Sequence, residues 1–175
     1  AQATPLSVSG SIGQNFDSMP NSATAALPNG WSFFRSGTSS SQPNYSLSGS
    51  NATTVGAAAG SIGTVPTSGA AYQWVTGSAA SGTDKAVGFL GSGSYPGTTS
   101  AAPGQQLALL FGFTNTTGGV ITTLDLAWDY EKYRTGTRQM GWNFYSSSDG
   151  STWTADTSGD HTYAADANTT TRLSG

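Results

Sequence analysis

Large apolar side chains in this sequence recur at every second position, which is the repeat of a strand with one buried face. From Leu124 the chain sets Leu124, Leu126, Trp128 and Tyr130 on one face against Asp125, Asp129 and Glu131 on the other, and the first face is expected to be core. Met140, Trp142 and Phe144 alternate in the same way with Gly141, Asn143 and Tyr145. Asp149-Gly150 then supplies residues that tolerate positive φ ahead of Thr152 and Trp153, which reads as a hairpin. No stretch of about 11 or more residues carries apolar positions at the spacing of a helix face. With 24 glycines interrupting the chain, long helices are disfavoured and an all-β fold is predicted.

Strands are predicted near residues 6–12, 31–35, 44–48, 71–76, 85–90, 106–114, 120–130, 139–146, 151–154 and 161–164. About ten short strands parted by Gly, Ser, Pro and Asn clusters spell a jelly-roll-like sandwich of two antiparallel sheets. The almost continuous apolar run from Leu107 to Phe113 suits a central or inner strand. Residues 49–70 and 91–104, rich in glycine and other small or turn-forming residues, are predicted surface loops. The 175 residues suit one domain spanning 1–175. Within it Leu6, Val8, Gly10 and Ile12 mark residues 1–14 as an edge strand or one exchanged with a neighbour.

Composition narrows the setting. The 5 Trp, 7 Tyr and 7 Phe point to an aromatic core. Charged residues are only 9%, against roughly 25% in an average soluble domain. Ser, Thr, Asn and Gly replace them and keep the surface wet through neutral hydrogen bonds. A net charge of -3 with 6 Lys plus Arg offers no electrostatic footprint for nucleic acid or an anionic membrane surface. Cysteine is absent, so burial and ladder hydrogen bonds must hold the fold. No run approaches the roughly 20 apolar residues of a membrane helix. The opening Ala1-Gln2-Ala3 has the small-residue character of a signal-peptide cleavage site, so a secreted or cell-surface protein is expected.

Four pieces of the chain carry a resemblance. These are Phe16-Asp17-Ser18-Met19-Pro20 with Leu27-Pro28-Asn29-Gly30-Trp31, the run Asp84 to Gly93, the run Leu124 to Arg134, and the hairpin ending at Trp153. Together, over residues 12–155, they resemble the extracellular domains of bacterial choice-of-anchor and PEP-CTERM-type exported proteins. The resemblance implies a jelly-roll-like sandwich displayed outside the cell, with no catalytic residues and in some settings joined to enzymes or adhesive modules. Lys85 stands where that pattern usually has arginine, and Tyr133 where it usually has tryptophan before Arg134. Such domains continue into strands that close the sandwich, whereas this sequence stops at Gly175. The sandwich is therefore expected to be open on its C-terminal side, either as a fragment or with an edge supplied by another chain.

The residues able to do chemistry are few. A serine triad needs a histidine, and His161, between Asp160 and Thr162, is the single one and reads as a strand-end residue. Glycoside hydrolysis needs two opposed carboxylates, but Glu131, Asp125 and Asp129 share one predicted face, and Glu131 with Arg134 reads as a structural ion pair. Jelly rolls often hold calcium through oxygen ligands, for which Asp17, Asp156, Asp160 and Asp166 are the available carboxylates. Their plainer role is to cap turns. The run Ser147 to Trp153 is similar to an Asp-box but lacks the residue between Asp149 and the glycine.

Sugar rings stack on exposed aromatics, and Tyr95, Tyr133, Tyr145 and Trp153 are the candidates, each weighed against a packing role. Tyr72 and Trp74 share a face and read equally as platform or core. Asn44, Asn51, Asn115 and Asn168 each open an Asn-x-Ser/Thr triplet that could accept a glycan. These observations predict a non-catalytic structural or adhesive subunit, not an enzyme, that needs no cofactor and self-assembles into an extracellular polymer by strand donation. The alternative is a carbohydrate-binding module whose partner is an extracellular polysaccharide.

Overall fold

The computed structural model describes residues 4–22, 24–35, 53–57, 70–75, 82–90, 107–132, 140–164 and 173–174. The protein is all-β: the described residues hold fourteen short strands, a single 3-10 turn at Thr157–Gly159 and no α-helix. In chain order the strands are β1 (Leu6–Val8), β2 (Thr24–Ala26), β3 (Trp31–Arg35), β4 (Thr54–Ala57), β5 (Ala70–Val75), β6 (Lys85–Leu90) and β7 (Leu107–Phe111). They continue with β8 (Phe113–Asn115), β9 (Glu131–Lys132), β10 (Met140–Trp142), β11 (Tyr145–Ser146), β12 (Thr154–Ala155), β13 (His161–Tyr163) and β14 (Leu173–Ser174). No helix among the described residues is long and apolar enough to cross a membrane.

The largest sheet has four strands in the order β2-β4-β5-β6. Its best-developed pair, β5 with β6, is antiparallel, with Ala71 opposite Phe89, Gln73 opposite Val87 and Val75 opposite Lys85. Period-two alternation sends these residues to one face and Tyr72, Trp74 and Ala86 to the other. The first face meets the main core of Met19, Ala25, Leu27, Phe33 and Ala71, to which Phe16, Trp31, Val87 and Phe89 add partly buried rings and methyls. On the second face Trp74 is buried against Tyr72, Ala86 and Leu90. The indole lies over Gly88, where an added Cβ would come within 3.2 Å of Nε1. Trp74 is therefore core, and of the two readings of the Tyr72-Trp74 pair the packing one holds for the tryptophan.

The remaining strands form two-stranded ribbons: β3 with β7, β1 with β8, β10 with β13, β11 with β12, and β9 with β14. Two-stranded ribbons are marginal by themselves, and ring contacts hold these together. Phe33 of β3 lies 5.4 Å from Phe89 of β6, and Phe89 lies 4.9 Å from Trp142 of β10. Trp142 in turn meets Tyr130 at 5.8 Å, and Tyr130 meets Tyr163 of β13 at 4.9 Å. A second run joins Phe16 to Trp31, Trp31 to Phe111 and Phe111 to Phe113.

Several expectations are corrected here. The segment 120–130 contains no strand, and Leu124, Leu126 and Trp128 are exposed rather than core; Tyr130 alone of that row turns into the ring cluster. Alternation fixes which side chains share a face, but burial needs a covering layer, and no strand among the described residues pairs with this segment to bring one. Residues 49–70 are not loop throughout, because Thr54–Ala57 form an inner strand of the four-stranded sheet. Two pairings, β1 with β8 and β4 with β5, are parallel where all were expected antiparallel. Strands β2, β9 and β14 were not anticipated, and the strand predicted at 44–48 lies outside the described residues. Residues 4–14 are an edge strand over Leu6–Val8, docked on β8 of the same chain.

The loop before β2 is pinned to β6. Phe16 adopts φ 62°, in the left-handed region, at a cost of about 1–2 kcal/mol for a residue with a Cβ. Gln14 Oε1 accepts the Phe16 N–H at 2.7 Å, Asp17 Oδ1 accepts the Lys85 N–H at 2.8 Å, and the ring packs edge-on against Trp31 at 5.0 Å. The buried Lys85 ammonium donates to the carbonyls of Asp17 and Met19.

Gln73 is 0% exposed, and among the described residues neither amide atom finds a hydrogen-bond partner. An unsatisfied buried polar group costs about 1–3 kcal/mol, so Gln73→Met should raise stability by about 1 kcal/mol or more in urea unfolding. Phe89→Ala removes two ring contacts at once and should lower stability by about 3 kcal/mol in the same assay.

Candidate functional site

The chemistry-bearing residues of the C-terminal half gather around the β10-to-β13 region. The Asp149-Gly150 turn follows the hairpin pattern: β11 and β12 pair antiparallel with Tyr145 opposite Ala155, and Gly150 takes φ 71°. Asp149 Oδ1 accepts the Ser151 and Thr152 N–H groups at 2.7 Å each and the Ser147 hydroxyl at 3.0 Å, while Oδ2 accepts the Thr152 hydroxyl at 3.1 Å. These bonds, the Thr152 N–H first, hold its carboxyl well below the usual carboxylate range. The Asp-box likeness thus extends to a carboxylate that closes its own turn.

Asp156 and Asp160 bracket the 3-10 turn and grip Phe144 from two sides. The Asp156 N–H donates to the Phe144 carbonyl at 3.0 Å, and Asp160 Oδ1 accepts the Phe144 N–H at 2.8 Å. Asp160 Oδ2 also accepts from Asn143 Nδ2 at 3.3 Å. Between them Gly159 leaves the space that Phe144 fills, since a Cβ there would sit 2.6 Å from Phe144 Cβ. Asp156 accepts both the hydroxyl and the N–H of Ser158, the hydroxyl bond first in effect, and its carboxyl is lowered as a result. The Phe144 ring, so fixed, carries Trp128 in a stacked contact at 5.8 Å and 13°.

Beside this lies a ring cluster of Tyr130, Trp142, His161 and Tyr163. His161 stands 5.4 Å from Tyr130 and 4.5 Å from Tyr163, ring to ring. The Tyr130 hydroxyl is buried with no hydrogen-bond partner among the described residues, and burial, followed by the neighbouring Tyr163, pushes its pKa far above the ordinary phenol value.

The sequence candidates are distributed as follows. Asp17 serves the Phe16 loop, accepting from Asn15 Nδ2 at 2.8 Å in addition to Lys85. Asp156 and Asp160 belong to one turn. Among the described residues no three histidine or carboxylate side chains gather into a metal-binding group. Tyr145 and Trp153 are half-buried on and beside the hairpin. Asn115 is exposed and closes its own turn, with Oδ1 accepting the Thr117 hydroxyl at 2.7 Å and Nδ2 donating to the Gly119 carbonyl at 2.7 Å. Asp125 and Asp129 are exposed. Tyr95, Tyr133, Arg134, Asp166, Asn44, Asn51 and Asn168 lie outside the described residues. Trp128, read from the alternation as core, is the exposed aromatic that sequence reasoning missed. The Asp156 and Asp160 aspartates flanking a glycine were the signal that Phe144, and through it Trp128, would be held rigidly.

In comparisons with known proteins no family model matches the chain, and no curated protein or solved structure matches it either.

The turn carboxylates give a pH dependence of definite sign. Asp149 and Asp156 have folded values below their unfolded value of about 3.9. Their contribution is therefore fully present above about pH 4 and is lost as the pH falls through the lower folded values. Asp149→Ala should lower the thermal midpoint at pH 6, and the gap to the parent protein should narrow progressively below pH 4.

Proposed function

We propose that this protein is a non-catalytic structural or adhesive subunit that works outside the cell. Its fold is read as an open jelly-roll-like sandwich of the choice-of-anchor and PEP-CTERM-type exported kind. The observation that carries the reading is how its few reactive groups are used. Asp17, Asp149, Asp156 and Asp160 accept hydrogen bonds within turns and between loops, and His161 and Tyr130 are packed ring against ring. Such an arrangement supports a scaffold whose polar chemistry holds its own backbone. The uncharged, hydroxyl-rich composition supports an extracellular setting.

Self-assembly follows from the strand edges. β1 is three residues long and docks in parallel on β8, a contact that the same strand of a neighbouring copy would reproduce with no change in local geometry. Strand donation of this kind joins subunits end to end into a polymer. Electron microscopy and light scattering of the concentrated full chain should show assemblies larger than one 17.7 kDa chain. A chain that stays strictly monomeric at every concentration would remove the polymer reading.

One observation favours a second reading, a carbohydrate-binding module. Trp128, 52% exposed and held flat on Phe144, offers an aromatic face of the sort sugars stack on. Affinity electrophoresis through soluble polysaccharides separates the two: the subunit reading expects no retardation, whereas retardation lost in Trp128→Ala would establish the binding module in its place.

A further inference from the structure

Residues 120–128 combine a strong strand signal with the absence of a strand. Val120, Ile121, Thr122 and Thr123 are β-branched, and Val120, Thr122, Leu124, Leu126 and Trp128 fall on one side of an extended chain. Val120 is 89% exposed, Leu124 52% and Leu126 50%, and no ladder among the described residues includes any of 120–130. The segment runs directly into β9, whose ladder with β14 begins at Glu131. An exposed apolar row that no ladder among the described residues includes is a template on which another strand pairs.

We propose that this segment is a self-pairing edge, on which a second copy of the chain lays its own residues 120–128 antiparallel across a two-fold axis at Leu124. Charge and periodicity select both the partner and the register. Any register shifted by one residue puts the apolar row of one copy on the same side as the aspartate-bearing row of the other. An axis at Asp125 opposes that carboxylate to itself, and an axis at Ala127 opposes Asp125 to Asp129; like charges directly opposite are destabilising. An axis at Leu126 sets Val120 against Lys132, a charged residue in place of an apolar one.

The axis at Leu124 avoids all of these conflicts. It sets Val120 against Trp128, Thr122 against Leu126 and Leu124 against itself, with Ile121 against Ala127 and Thr123 against Asp125 on the reverse side. Neither acidic residue falls in the apolar row or directly opposite another carboxylate, so the surface is complementary to its own copy without a basic partner. Trp128 comes to the contact already held on Phe144. The contact deepens the structural-subunit reading and rests on it for its use, since it supplies a second interface beside the β1 docking site.

The chain contains no cysteine, so single-cysteine variants of the full chain report the register directly. Opposed residues have Cα atoms about 4.5–5.5 Å apart, within the disulfide range of about 4.4–6.8 Å. Under mild oxidation Leu124→Cys should form a covalent dimer, and Thr123→Cys mixed with Asp125→Cys should form the mixed dimer, both at least about tenfold faster than an exposed control, Ser151→Cys. Linking of Leu124→Cys no faster than the control overturns the proposal.

In light scattering, Leu126→Lys should weaken dimerisation at least about tenfold, with Thr122→Lys as a second variant should the first lose its circular dichroism spectrum. Dimers unaffected by a folded variant also overturn it. The failures are distinguishable. Filaments that form without Leu124→Cys linking reject this surface and keep the subunit reading, whereas linked dimers that never grow further keep the surface and reject the polymer.

Discussion

Contact between aromatic rings on separate small sheets is the interaction on which the rest of the structure depends. Among the described strands only one sheet exceeds two strands, and no backbone ladder ties the ribbons to one another. Phe89 does so instead, standing between Phe33 on one ribbon and Trp142 on another. Each ring pair is worth about 0.5–1.5 kcal/mol beyond its buried area. In a chain poor in aliphatic side chains, few other groups bring as much apolar surface to a single point.

Once rings carry the tertiary structure, polar side chains are released for local work, and they are spent on turns. Asp149 closes the β11–β12 hairpin, Asp156 caps the 3-10 turn, and Asp160 fastens that turn to Phe144. Asp17 and Lys85 tie the first loop to the edge of the four-stranded sheet across 68 residues of sequence. Hydrogen bonds within these turns hold the Asp149 and Asp156 carboxyls below the usual carboxylate range, in a chain with only 9% charged residues.

The same economy accounts for two buried polar groups left unsatisfied among the described residues. Gln73 sits in the central region of the largest sheet with its amide buried and unbonded, and the Tyr130 hydroxyl is in the same condition within the ring cluster. Both exchange polar satisfaction for the shape of a long side chain. The row from Val120 to Trp128 is the opposite imbalance: apolar surface left half or more in water at Val120, Leu124, Leu126 and Trp128.

Much of the secondary structure was legible from local pattern. The strands at Trp31–Arg35, Ala70–Val75, Lys85–Leu90 and Leu107–Phe111 and the turn at Asp149-Gly150 follow from β-branched and aromatic runs bounded by glycine, and the structure keeps them. Thr54–Ala57 was missed because an inner strand flanked by close neighbours needs backbone groups more than large side chains. The Phe144 grip was half legible, since Asp156, Gly159 and Asp160 are turn residues, but their common target lies more than ten residues upstream. Sequence by itself determined that the protein is all-β and which side chains share a face, because alternation is a property of the extended backbone. Only the tertiary structure decided which of those faces is dry: Trp74 and Trp128 sit in equally regular strand patterns, yet one is buried and the other lies in water. That outcome depends on which distant segment arrives to cover a face, and no local spacing encodes it.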